Sequence, residues 1–412
     1  MNKEKCRPSE GARAIEIGAG VTRPSLAQLV TYFVVLGATG FGGPVALANY
    51  MRADLFERRR WFSDDEYEQG LALATALPGP MAYKLAVYCG YVAHGVAGGV
   101  AVGLAFALAP FVLVVLVAIA YSKFAASDVV RGLFYGVGPV VVALILNASV
   151  DLGVKTLKRD VPAWVVAIAA LVATVVLQRE LTVLFVAAGV LGIFLFAPPP
   201  PAPQTDQGAP PPSNASAHAW PLLVAALPAA ATATAWQLFA FFFKAGLLVF
   251  GSGLVIVSFV KAYVVDQYHW IDNRTFLDAV AIGMISPGPV VITATFVGYM
   301  VGGFAGALAA TVGMFAPSIL LVIAGAPILM RYGKNRRVTG FVRGVTVAVV
   351  GVLAGTTYLV GRPVIGDVLT LLLLVAALAV TRLFKKVPDQ VLVVGGAVVG
   401  LIAYPLLRPT WM

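Results

Sequence analysis

Hydrophobic residues in this chain fall in long runs separated by short polar loops. The apolar segments are Leu26 to Tyr50, Leu71 to Tyr91, Val96 to Tyr121, Val129 to Val150 and Pro162 to Phe196. They resume at Ala233 to Val260, Phe276 to Tyr299, Val301 to Leu329, Val338 to Val360, Val364 to Val380 and Val391 to Leu407. Many approach or exceed the roughly 20 residues a helix needs to cross a bilayer. The runs are continuously apolar and not alternating, which predicts membrane helices and argues against a β-barrel. The fold class expected is an all-α polytopic membrane protein, with about five or six membrane helices in each of two halves. The segment Pro162 to Phe196 is broken by Gln178-Arg179-Glu180 and predicts a tight hairpin of two short helices.

The second half repeats the first. Gly37, Phe41, Gly42, Trp61, Ala72, Pro78, Gly79 and Pro80 match Gly246, Phe250, Gly251, Trp270, Ala281, Pro287, Gly288 and Pro289 at a constant offset of 209. The offset then drops by one, pairing Gly90, Tyr91, Gly95 and Gly98 with Gly298, Tyr299, Gly303 and Gly306. Shared hydropathy aligns apolar residues, but not glycine, tryptophan and paired prolines in register. The chain reads as an internal duplication. Its divisions are a tail over 1–25, a first repeat over 26–196, a Pro- and Ala-rich linker over 197–219 and a second repeat over 220–412.

Charge bears on how the halves are oriented. If every run crosses once, ten Lys and Arg of the second half share one side, against Arg362 and Arg408 on the other. The ten mark the cytoplasmic side. The first half divides seven to eight and does not orient itself. Inverted halves keep the basic tail in the cytoplasm but require an odd number of crossings per repeat. A Pro-Gly-Pro run that re-enters without spanning supplies that change, and so does an extra span within Trp220 to Ala235. Inversion is the expected arrangement.

The candidate chemistry centres on Pro78-Gly79-Pro80 and Pro287-Gly288-Pro289, each inside an apolar run. Proline removes a backbone donor and clashes with the preceding turn, so each triplet predicts a break in a membrane helix. One such break alone reads as a structural kink. Two in register, with polar residues alongside, read as a transporter's binding site. The helix restarting after each break aims its free amides and positive dipole end at the gap, which favours an anion. Gly42 and Gly43, with Gly251, Ser252 and Gly253 in the second half, permit either close helix packing or unwound backbone facing a ligand.

Lys84 lies four residues after Pro80, on one face of the restarted helix with Tyr88 and Tyr91. A lysine at membrane depth faces a cavity or a partner, unless it snorkels to the interface. Lys244, among phenylalanines, is the second such lysine and the more exposed to the snorkelling reading. Ser286, Ser252 and Thr293 offer hydroxyl donors near the second break, where no cation aligns with Lys84. Asn49, Asn147 and Asp278 are weaker candidates near segment ends.

Composition narrows the function further. The chain of 412 residues is 60% hydrophobic and 12% charged, about half the charged fraction of soluble proteins. The net charge of +10 sits in loops between apolar runs, so nucleic acid is not the expected partner. The lipid bilayer is. Two cysteines, Cys6 and Cys89, make no disulfide framework, and the three histidines show no metal-ligand spacing. No catalytic nucleophile, cofactor or phosphate-loop motif appears, so neither an enzyme nor a cofactor is expected. The polar residues 1–25 lack a signal peptide's apolar centre.

Phe41-Gly42-Gly43-Pro44 and Leu77-Pro78-Gly79-Pro80, repeated as Phe250-Gly251-Ser252-Gly253 and Ser286-Pro287-Gly288-Pro289, resemble the chromate ion transporter family in its long, two-domain form. The resemblance covers nearly everything outside tail and linker. It implies chromate export across a bacterial inner membrane, chromate resistance, and halves in opposite orientation. Driving by membrane potential or by protons, sulfate as an alternative cargo, and a homodimer are all compatible with it. Gly43-Pro44 becomes Ser252-Gly253 in the second half, which argues against equal roles.

Overall fold

A computed structural model of the chain describes residues 22–41, 43–125, 127–177, 181–196, 233–249, 253–332, 336–384 and 387–407. The linker expected over 197–219, the tail up to residue 21, and most of the segment Trp220 to Ala235 lie outside them. Among the described residues there are fourteen α-helices and no strand. The first half holds α1 (Leu26–Thr39), α2 (Gly43–Met51), α3 (Asp64–Ala76), α4 (Met81–Phe124), α5 (Asp128–Leu157), α6 (Val161–Leu177) and α7 (Leu181–Leu195). The second holds α8 (Ala233–Leu248), α9 (Val255–Phe259), α10 (Asn273–Ile285), α11 (Thr293–Tyr332), α12 (Arg336–Gly361), α13 (Val368–Leu383) and α14 (Asp389–Leu407). Wide π-helical turns continue α2 over Arg52–Arg58 and α9 over Val260–Val265. The expected short helices of Pro162 to Phe196 are α6 and α7.

The first two apolar runs of each half do not cross the membrane. Helix α1 has 14 residues, about 21 Å at 1.5 Å per residue, against a hydrocarbon core of about 30 Å. Its partner arm returns to the side from which α1 entered: Thr22 N donates to Arg60 O at 3.0 Å. Arg59 lies over the rings of Tyr32 and Trp61. Helix α3 and the start of α4 form a second hairpin. A Cβ on Gly70 would lie 2.5 Å from the Tyr88 ring, and positions 70 and 88 are equidistant from Gly79. In the second half Gly283 meets Thr293 across Gly288 in the same way.

Helix α4 is itself folded in two. His94 and Gly95 leave helical geometry, with φ of +64° at Gly95. Gly90 and Gly98 then touch, a Cβ on Gly98 falling 2.2 Å from Gly90 O. Eight residues along a straight helix would separate them by about 12 Å. Gly302 and Gly303 fold α11 identically, bringing Gly298 against Gly306. The long arms left over, residues 96–124 and 304–332, are each 29 residues, about 43 Å, and cross. Each half is therefore two re-entrant hairpins followed by further helices, with seven α-helices among its described residues.

The halves are inverted. Arg23 pairs with Glu66, and His94 Nε2 lies 2.9 Å from Pro24 O, so the first-half hairpins share one entry face. Arg274 donates to Ala125 O at 3.3 Å, and Tyr121 OH donates to Asp278. Those bonds place the start of α10 beside the far end of α4. Arg343 pairs with Asp160 at 2.6 Å, returning the end of α11 to the first face. The packing repeats about a pseudo-two-fold axis. Gly136 of α5 abuts Gly396 and Gly400 of α14, and Gly344 of α12 abuts Ala188 and Gly192 of α7. Small residues let these backbones approach where lipid gives no hydrophobic drive.

The re-entrant hairpins overturn the assumption that every run crosses once, and with it the charge tie. Arg52, Arg58, Arg59 and Arg60 return to the face where Thr22 and Arg23 lie. Of the described basic residues near either face, thirteen lie on the first: those four with Arg23, Lys155, Lys158, Arg159, Arg331, Arg336, Arg337, Arg343 and Arg382. Five lie on the opposite one: Lys123, Arg131, Lys261, Arg274 and Arg362.

Candidate substrate site

The hairpin tips meet at mid-membrane. Gly79 abuts Ser318, and Gly288 abuts Pro110. Ser318 and Pro110 are the central residues of the two long crossing arms. Tip-to-tip hydrogen bonds are reciprocal: Gly79 N donates to Val249 O at 2.6 Å, and Gly288 N donates to Gly40 O at 2.9 Å. Gly40 and Val249 are themselves equivalent at the offset of 209. Both Pro-Gly-Pro glycines have positive φ, +108° at Gly79 and +87° at Gly288, a region that residues with a Cβ rarely enter.

The order of the arms decides what the tips present. An incoming helix ends at each tip with carbonyls, and an outgoing one starts there with amides. The incoming carbonyls are largely satisfied by protein. Gly40 O and Val249 O take the cross-tip bonds, Leu77 O accepts from Lys84 Nζ, and Gly283 O accepts from Ser286 Oγ at 3.0 Å. The outgoing arms begin at Gly43, Met81, Val255 and Thr293, and all four N-termini converge. Converging positive dipole ends favour an anion.

A cavity of about 90 Å³ lies among the tips. That is the share of about three liquid waters at ~30 Å³ each, suited to a small ion. Its wall takes Pro80 and Ala82 from the first Pro-Gly-Pro hairpin, Ser286, Gly288, Pro289 and Val290 from the second, and Phe41, Leu47, Gly253 and Leu254 from the other two. Met284, Asp389 and Gln390 complete it. Of the residues singled out in the sequence, Pro80, Gly253, Ser286, Gly288 and Pro289 line this cavity. Gly43, Pro78, Gly79 and Pro287 form the adjoining tips, while Gly42, Gly251 and Ser252 lie outside the described residues.

The other candidates are placed elsewhere. Lys84 is buried, at 1% exposure, on the far side of the first tip. Its ammonium caps the end of α3, where a cation also complements the helix dipole. Tyr88 packs on Gly70, away from the tip. Lys244 is exposed in a separate cleft of about 430 Å³ with Phe241, Tyr263 and Trp270, its Nζ 5.5 Å from the Tyr263 ring centre. Thr293 is fully buried and donates to Val290 O at 2.8 Å.

Asp389 and Gln390 were missed by sequence reasoning. They follow Pro388 at the start of the final apolar run and look like an ordinary helix N-terminus there. Only the packing of α14 brings them to mid-membrane. A carboxylate on that wall opposes an anion, so it biases any bound anion toward the tips.

The family model described as chromate transporter matches residues 27–193 and again 236–401, once per half. The chain is 42% identical over 391 residues to the chromate transport protein of Cupriavidus metallidurans, covering 93% of this chain and 94% of that one. It is 41% identical to the probable chromate transport protein of Synechococcus elongatus, covering 92% and 95%. It is 32% identical to the chromate transport protein of Pseudomonas aeruginosa, covering 86% of each. No solved structure matches the chain.

Proposed function

The chain belongs to the chromate transporter family, and we propose that it exports chromate from the cytoplasm of a bacterial cell and so confers chromate resistance. The observation that carries this reading is the convergence of four outgoing helix N-termini on one small cavity at mid-membrane. Chromate at neutral pH is a compact tetrahedral dianion, the kind of charge such N-termini favour. The face with thirteen basic residues is the cytoplasmic one by the positive-inside rule.

The membrane potential supplies the drive. Moving one charge through 100 mV is worth about 2.3 kcal/mol, so an exported dianion gains about 4.6 kcal/mol in an inside-negative cell. Uptake against that potential would need co-transported cations. Sulfate has the same shape and charge and is the natural competitor. The test is saturable, potential-driven chromate accumulation in inside-out vesicles carrying the protein, with sulfate as inhibitor. Accumulation no greater than in empty vesicles, at any chromate concentration or potential, would reject the exporter.

A further inference from the structure

Several buried hydroxyls in this protein bond back along their own helix. Thr174, Thr311 and Thr357 each donate to the carbonyl four residues earlier, at 2.6–2.8 Å. Ser318, like Ser258, does not. It is fully buried, and its Oγ finds no hydrogen-bond partner among the described residues. The side chain points across to the first tip, where a Cβ on Gly79 would lie 2.1 Å from Ser318 Oγ and 3.6 Å from Lys84 Cδ. The outgoing arm of α4, residues 81–93, starts two residues further on. A buried hydroxyl without a partner is expensive, and this one stands beside a helix N-terminus and a buried ammonium.

We infer that Ser318 and Lys84 form a second donor station, at the Gly79 tip, that holds an oxygen of a tetrahedral oxyanion. Lys84 has three N–H donors and spends one on Leu77 O. Ser318 has its hydroxyl proton to give. The two-fold equivalent of Ser318 is Pro110, at the offset of 208, which has no donor at all. The station therefore belongs to one tip only, and the anion binds asymmetrically between the halves. This inference rests on the oxyanion-transport reading and adds Ser318 as a residue that contacts the cargo.

The test compares Ser318→Thr with Ser318→Val, two side chains of nearly one shape that differ in the hydroxyl. Ser318→Ala accompanies them, because it deletes an oxygen that no protein group uses and leaves nothing unpaired. Chromate flux in proteoliposomes gives KM, sulfate competition gives an inhibition constant, and thermal unfolding in detergent reports folding. The expected result is a KM and a sulfate inhibition constant raised about tenfold in Ser318→Ala and Ser318→Val, the loss of one hydrogen bond to a charged group. Ser318→Thr stays near wild type, and Ser318→Ala unfolds no earlier than wild type. Unchanged constants in Ser318→Ala, with wild-type protein saturable, would overturn the station and leave the transporter standing. Lowered unfolding temperature in Ser318→Ala with unchanged KM would make Ser318 a packing residue and overturn it too. Wild-type protein that saturates with neither chromate nor sulfate would overturn the station and the transport reading together.

Discussion

The two Pro-Gly-Pro tips share a backbone and differ in chemistry. At each, a left-handed glycine donates its N–H to the end of the opposite half's first helix, and lies against the centre of a long crossing arm. Around Gly79 the neighbours are Ser318 and Lys84. Around Gly288 they are Pro110 and Gly37 O, and the position aligned with Lys84 holds Thr293, whose hydroxyl is already spent on Val290 O. Duplication preserved what the fold needs, namely glycine at positive φ and reciprocal tip bonds. The side chains that bear on a charged cargo were free to diverge. An anion meeting this pair finds a cationic wall on one side and a cavity rimmed by backbone amides on the other.

The largest expected effect comes from removing the cation that makes the tips unequal. Lys84→Gln keeps a donor for Leu77 O, whereas Lys84→Ala leaves that carbonyl bare. Both are predicted to lower chromate flux at low concentration by at least about thirtyfold, since losing one buried charged partner costs about 2–5 kcal/mol. Lys84→Ala should also unfold at lower temperature than Lys84→Gln. Flux equal to wild type in Lys84→Gln would mean that the ammonium serves only as the cap of α3, and that the tips are electrostatically alike toward the cargo.

Much of this arrangement could be read from the sequence. The constant offset from Gly37 to Pro289 reveals the duplication, and proline chemistry locates both tips. Re-entry was harder to see. Leu26 to Tyr50 is long enough to cross, and its turn at Phe41 to Gly43 uses the same small residues that ordinary helix packing uses. The signal was present in Gly90 and Gly98, which pair with Gly298 and Gly306 because each marks a helix folded on itself. Ser318 and Asp389 had no local signal. Ser318 sits in the long apolar arm of α11 and Asp389 in a helix start, and each matters only through what another segment brings against it. The charge tie failed for a physical reason as well, because a hairpin returns its arginines to the side they came from.

A smaller effect separates the tips by sterics. Alanine at Gly79 adds a Cβ 2.1 Å from Ser318 Oγ, while alanine at Gly288 meets Pro110 at 3.2 Å. Both substitutions also carry the strain of positive φ, about 1–3 kcal/mol. Gly79→Ala should therefore lower the unfolding temperature further than Gly288→Ala. Adding Ser318→Ala to Gly79→Ala should recover part of the difference, because the hydroxyl oxygen is the nearest atom, while Ser318→Ala should do nothing for Gly288→Ala. Equal penalties at the two glycines, or no recovery in the double variant, would show that the tips relax enough to erase their difference.

The mildest prediction concerns the cavity wall that belongs to neither tip. Asp389 faces the space between the hairpins, and its equivalent at the offset of 208 is Leu181, which carries no charge. A carboxylate there repels an anion across a partly hydrated gap, where one unit charge acting through an effective dielectric near 20 is worth a few kcal/mol at most. Asp389→Asn keeps the size and removes the charge. Chromate KM should fall several-fold, with maximal flux unchanged or lower as release slows. The repulsion scales with cargo charge, so a dianion should gain more from the substitution than a monovalent oxyanion such as nitrate used as competitor. If Asp389→Asn instead weakened chromate and nitrate alike, the carboxylate would be holding the α14 start in place and the anion would lie too far from it to feel its charge. The cargo would then sit closer to the Lys84 side than the cavity alone implies, and the inequality of the two tips would be greater still.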